Sequence, residues 1–164
     1  MNATERRPRF LVVRRDNIGD LVCTTPLIAA LRAQHPKSWI GVLANSYNAP
    51  ILECNPDVDA VFAYHKLKHG GANVLAVAWQ RIGMVRALRR EQLDFAVIAT
   101  PGLLPRVVRF VSLLKARQVI AFVPRGKLAA GVDVAVSPDD PGDASEVEIV
   151  WRLAPALGLA GSPP

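Results

Sequence analysis

Short apolar runs alternate along the chain with longer stretches whose apolar residues recur every three or four positions. Phe10–Val13 is four apolar residues between Pro8 and Asp16-Asn17, the pattern of a buried strand. Trp39–Leu43, Ala60–Tyr64, Phe95–Ala99 and Val119–Val123 read as four more strands, with Gly41 weakening the second. Asp20–Gln34 predicts a helix with Leu21, Leu27, Ile28 and Leu31 on one side; Pro26 makes it kink, or restart with Thr25 as cap. Asn45–Cys54 reads as a short helix closed by Asn55-Pro56. In Val74–Arg90, Val74, Val77, Met84, Val85 and Leu88 share a stripe that Arg81 interrupts, so Arg81 needs a carboxylate or a snorkelling path. Arg106–Lys115 turns Val107, Phe110, Val111 and Leu114 inward. A helix in every connection is the mark of parallel βαβ units. The expected fold is therefore α/β, a doubly wound parallel sheet with ligands beyond the carboxyl ends of its strands.

After Arg125 the texture changes. Ser137–Gly142 is rich in turn residues, and Ala144–Leu157 predicts a last helix with a Val147, Val150, Trp151, Ala154 stripe, bent at Pro155 and ended by Gly158. No sixth strand is expected. The division is a sheet domain over 1–143 and a helix and tail over 144–164, whose stripe needs something to pack on.

Composition fits one packed domain: 164 residues, 51% hydrophobic and 21% charged. The longest uncharged stretch, Ser38–Leu52, is 15 residues with Asn45, Ser46, Asn48 and Pro50 inside it, and Phe10–Val13 is too short for a signal peptide. With two cysteines, Cys23 and Cys54, a reduced cytoplasmic setting is the expectation. Charge is uneven. Residues 1–125 carry 18 Lys+Arg and 8 Asp+Glu, or +10, and residues 126–164 carry 2 and 6, or −4. The first part gathers anionic ligands. Aromatics are 6% and form no row alternating with basic residues, which argues against nucleic acid.

The chemistry concentrates at the first strand–helix junction, Arg14-Arg15-Asp16-Asn17-Ile18-Gly19-Asp20. One glycine is too few for a dinucleotide fingerprint, and no Lys-Ser or Lys-Thr follows to make a P-loop. What remains is a tight turn at Gly19, the free N–H groups of a helix start, and a carboxylate held there. Asp20 has two readings: an N-cap, or a general base taking the proton of an attacking hydroxyl. The positive end of a helix favours the carboxylate form and weakens it as a base. Such a base serves only a good leaving group such as a nucleoside diphosphate.

The run LVVRRDNIGDLVCTTPLIAALR (11–32) resembles the N-terminal signature of glycosyltransferase family nine, the lipopolysaccharide heptosyltransferases. ILECNPDVDAVFAY (51–64), the basic loop His65–His69 and Leu93-Asp94-Phe95 are similar too, and the likeness spans about residues 9–160. The resemblance implies a GT-B fold, of which this chain is the Rossmann-like N-terminal half that holds the acceptor. It implies inverting transfer of a heptose from ADP-heptose to the Kdo–lipid A inner core, with no metal at the reaction centre and no cofactor beyond the donor. Asp20 inherits the catalytic role, and Arg14 sits near sugar or phosphate. The partners are an anionic saccharide or glycolipid acceptor and a missing C-terminal nucleotide-sugar domain. The location is cytoplasmic, with peripheral contact at the inner face of the inner membrane. The family's usual His is replaced here by Ser145.

Around Asp20, Asn17 and Gly19 shape the acceptor pocket, and Thr24 and Thr25 either bond sugar hydroxyls or cap around Pro26. Lys66 and Lys68 either meet acceptor phosphates or form a solvated loop. Asp57-Val58-Asp59 is the Asp-x-Asp of metal-dependent transferases, but Asn55-Pro56 before it favours turn capping. Cys23, Cys54, His35, His65 and His69 lack zinc spacing. Three functions stay open: the acceptor half of a heptosyltransferase with Asp20 as base, a truncated non-catalytic module binding an anionic glycolipid or phosphate, and a metal-dependent transferase using Asp57 and Asp59.

Overall fold

A computed structural model describes residues 7–64, 74–102, 104–127, 129–138 and 142–163. Lys66 and Lys68 lie outside the described residues. Strands β1 (Arg9–Val13), β2 (Trp39–Asn45), β3 (Ala60–Tyr64), β4 (Phe95–Ile98), β5 (Gln118–Phe122) and β6 (Val134–Val136) form one sheet in the order β3-β2-β1-β4-β5-β6. Every pairing is parallel. The helices are α1 (Ile18–Val22), α2 (Thr25–Gln34), α3 (Val74–Arg90), α4 (Pro105–Ser112) and α5 (Glu146–Trp151).

Successive strand residues point to opposite faces, and both faces are covered. Phe10, Val12, Ile40, Val42, Ala44, Val97, Ile120 and Phe122 pack with Leu27, Ile28 and Leu31 of α2 and with Val150, Leu153 and Ala154 around α5. Leu11, Val13, Leu43, Ala96, Ile98, Val119 and Ala121 pack against Leu88 of α3 and Val107, Val108 and Val111 of α4. Trp39 follows the same alternation: its indole lies over Gly41, where a Cβ would come within 2.4 Å of the ring.

Several expectations need correction. The sheet has a sixth strand, too short at three residues to stand out by periodicity and held by Asp133, whose carboxylate accepts the Val119 N–H at 2.7 Å. Among the described residues the β5–β6 connection has no helix, and β2 to β3 has only a 3-10 turn at Ala49–Leu52, because β2 runs on to Asn45. The 20–34 helix is two helices: Thr24 rather than Thr25 caps the second, with Pro26 in its first turn. The last helix stops at Trp151; a 3-10 turn at Pro155–Leu157 follows, ended by Gly158 at φ +73°. Its stripe packs on α2, and the Gln34 side-chain amide donates to the Gly158 carbonyl at 2.9 Å. Arg81 is exposed and finds Tyr64, whose hydroxyl accepts from its guanidinium at 2.6 Å.

Candidate functional site at the end of the first strand

β1 ends at the centre of the sheet's carboxyl edge, and the two arginines that follow keep its alternation. Arg14 still donates its N–H to the Leu43 carbonyl at 3.0 Å and turns to the α5 side; Arg15 turns to the α3 side.

Arg14 is 2% exposed. A guanidinium this buried costs several kcal/mol unless its donors are matched. Here it donates to the Ala99 carbonyl beyond β4 and to the Glu146 carboxylate on α5, the latter at 2.6 Å. Its Nε lies 3.1 Å from the Asp16 carboxylate and one terminal nitrogen 3.5 Å from Asp20 Oδ1. One cation thus holds three carboxylates together, leaving a formal charge of −2. Arg14 reaches the surface of the site only through them.

Asp20 lies in the first turn of α1, and the N-cap is Asn17. The N-cap expectation for Asp20 is therefore corrected: Asp20 Oδ2 accepts the Asn17 backbone N–H and side-chain amide, each at 3.0 Å, the acidic half of a capping box. These bonds fix the carboxylate and leave its Oδ1 edge facing Arg14. The carboxylate is 29% exposed. Gly19 makes no tight turn. It sits inside α1, its φ is not positive, and a Cβ there meets nothing within 4 Å. The fold would accommodate a side chain there.

The loop is held from below by two buried asparagines that sequence reasoning missed. The Asn45 amide donates to the Arg15 and Asp16 carbonyls at 2.9 and 2.8 Å, and the Asn48 amide reaches the Asn17 carbonyl at 3.4 Å. Asn45 Oδ1 accepts the Asn48 N–H, and Asn48 Oδ1 accepts the Asn45 N–H, both at 2.9 Å. Asn45 is 3% and Asn48 0% exposed. Thr100 completes the floor, its hydroxyl donating to Asp16 Oδ2 at 3.0 Å. Glu146 was also missed. The signal for it was Ser145-x-x-Glu148, a capping box that sets the start of α5, with Ser145 as N-cap.

Thr24 is fully buried and its hydroxyl donates to the Asp20 carbonyl at 2.8 Å; that of Thr25 donates to the Val22 carbonyl at 2.7 Å. Both spend their donors on the α1–α2 break. Asp57 lies in a turn, its N–H bonded to the Asn55 side chain, while Asp59 Oδ2 accepts from the Ile40 N–H at 2.7 Å and from Arg32 at 2.6 Å. Among the described residues no three His, Cys, Asp or Glu side chains are grouped to hold a metal ion.

No protein-family model matches the chain. It is 29% identical over 103 residues to lipopolysaccharide heptosyltransferase 3 of Escherichia coli, and 38% identical over 53 residues to a putative glycosyltransferase of Haemophilus influenzae. Among solved structures it resembles the E. coli heptosyltransferase WaaC with ADP-2-deoxy-2-fluoro heptose, with a TM-score of 0.74 at 18% identity over 95% of this chain and 50% of that one. It also resembles a family 9 glycosyl transferase of Veillonella parvula, with a TM-score of 0.69 over 42% of that chain. The chain spans 29% of the length of the E. coli heptosyltransferase 3 and about half of WaaC. The resemblance to the heptosyltransferases therefore stands, and so does the α/β, Rossmann-like fold of a GT-B half.

Proposed function

We propose that this chain is the acceptor-side part of a glycosyltransferase of the heptosyltransferase type, with Asp20 as general base. The observation that carries the reading is a partly exposed carboxylate fixed by two Asn17 donors at the carboxyl edge of a doubly wound sheet. Asp20 Oδ1 takes the proton of the acceptor hydroxyl as its oxygen attacks the anomeric carbon, and ADP leaves from the opposite face with inversion. Asn17 and Gly19 shape the acceptor's pocket. The donor, ADP-heptose or a related nucleotide sugar, binds to a second domain. The acceptor is an anionic inner-core saccharide or glycolipid, met in the cytoplasm at the inner face of the membrane. No helix among the described residues is long and apolar enough to cross that membrane.

The test is transfer from an ADP-activated heptose to inner-core saccharide, by the chain alone and joined to a relative's nucleotide-sugar domain. Asp20→Asn keeps the Asn17 contacts nearly isosteric, so acceptor affinity is expected to hold while turnover falls by about 10²–10⁴-fold. Turnover within a factor of about two of the parent refutes the base. A second reading, a binding module without turnover, draws on the engagement of both Asp20 oxygens in the native fold. It predicts saccharide binding with neither ADP binding nor transfer in either form.

A further inference from the structure

Arg15 leaves β1 on the face opposite Arg14 and stacks on Tyr64, at the end of β3 two strands away, with its guanidinium carbon 4.1 Å from the ring centroid. Arg81 of α3 approaches the same ring at 5.4 Å and donates to its hydroxyl at 2.6 Å. Two cations thus share one tyrosine at the carboxyl edge of the sheet. None of the ion pairs among the described residues includes either of them. The nearest acid along the chain, Asp16, is committed to Arg14 and Thr100.

The cost of this arrangement is visible in Arg15. Its Nε is buried without a hydrogen-bond partner, as are those of Arg9, Arg14 and Arg32, but those three arginines each pair with a carboxylate and, among the described residues, Arg15 does not. Burial, and after it the neighbouring Arg81 charge, push its guanidinium below the ordinary arginine value, only partly offset by Tyr64 and Asp16. Stacking uses the flat face of a guanidinium and leaves its in-plane N–H fork for an acceptor. The Arg15 fork, the Arg81 donors not spent on the Tyr64 hydroxyl, and two cations without an ion-pair partner among the described residues match the oxygens and the double charge of a phosphate monoester better than a single carboxylate.

We infer that Arg15 and Arg81, gathered on Tyr64, form a binding subsite for a phosphoryl group carried on a saccharide. Anion binding here stands on its own geometry; its place in acceptor recognition rests on the proposed function. The subsite lies on the α3 side of β1, whereas the Asp20 carboxylate lies on the α5 side. A ligand engaging both spans the carboxyl edge with its phosphate toward β3 and its hydroxyl toward α1.

The experiment is NMR of the ¹⁵N-labelled chain, following the arginine Nε–H signals during titration with glucose 6-phosphate, inorganic phosphate and glucose. The expected result is a saturable shift of Arg15 and Arg81 with glucose 6-phosphate, weaker binding of inorganic phosphate, and none of glucose. Arg81→Gln, at an exposed position, is expected to weaken sugar-phosphate binding by about tenfold or more. Arg15→Lys, which keeps the charge and loses the fork, is expected to weaken it as well. Equal affinity in the parent and both variants overturns the subsite, as does a shift of all arginines alike that never saturates. Tighter binding of free phosphate than of the sugar phosphate overturns the saccharide assignment. No donor or transfer enters the measurement, so a failed transferase assay leaves this result intact and the reverse holds too.

Discussion

Gly19 illustrates how a residue's meaning depends on its surroundings. In an α-helix glycine costs about 1 kcal/mol relative to alanine, and here no backbone angle requires it. Beyond its chain neighbours and helix backbone, no atom of the described residues lies within 4 Å of where its Cβ would be, so an alanine fits without strain and only the proposed acceptor would meet it. Gly19→Ala is therefore expected to raise unfolding stability by up to about 1 kcal/mol in urea titration while lowering transfer by roughly tenfold or more. A variant that loses both stability and transfer would assign the glycine to folding. Asn45 and Asn48 are the converse case. They are polar and buried because the loop carrying Asp16 and Asn17 has carbonyls that must be satisfied away from water.

At the scale of elements, α5 is part of the domain's own core. Leu153, just beyond its end, is 0% exposed and packs in the cluster that contains Leu27, Ile28 and Leu31. Leu153→Ala is expected to cost about 2–5 kcal/mol in chemical denaturation, as for any central leucine. A loss under about 0.5 kcal/mol would mean that α5 is a loosely attached appendage. The strands β1 to β5 were legible because each is an apolar run between breakers, α4 because its stripe is regular, and α3 by its length despite the break at Arg81. The third residue of β6 is followed by Ser137-Pro138, and a three-residue strand has no period to detect. Local spacing made the carboxylate at a helix start legible, but not its place in a capping box with Asn17, and the turn it suggested at Gly19 is helix instead. Glu146 was not legible, because its role depends on a partner 132 residues away, and neither was Arg15, which reads as a surface charge until Tyr64 and Arg81 are seen beside it.

For the whole molecule, a parallel sheet covered on both faces leaves its carboxyl edge as the natural place for a ligand, and the alternation of β1 divides that edge between two kinds of chemistry. Toward α5 the net charge is negative around a buried cation; toward α3 it is positive around an aromatic ring. The +10 of residues 1–125 adds a long-range attraction for anions. Screening shortens its reach from about 10 Å at 0.1 M salt to about 3 Å at 1 M. Affinity for a phosphorylated saccharide is accordingly expected to weaken several-fold across that range in calorimetric titration, with that for its unphosphorylated counterpart nearly constant. Salt-independent binding of both would show that charge plays no part in recognition.

The Arg14–Glu146 bond also sets a schedule for how the site comes into being. The arginine leaves the ribosome 132 residues ahead of the glutamate that satisfies it. At about 5–20 residues per second, synthesis separates the two by roughly 7–26 s. During that interval the first βα unit can form its hydrogen bonds, yet its buried cation lacks one of its three counter-charges. The Asp20 carboxylate is fixed by Asn17 within that unit, whereas Arg14 beneath it gains its last partner only when α5 docks, so the nascent chain holds the base before it holds the full charge balance around it.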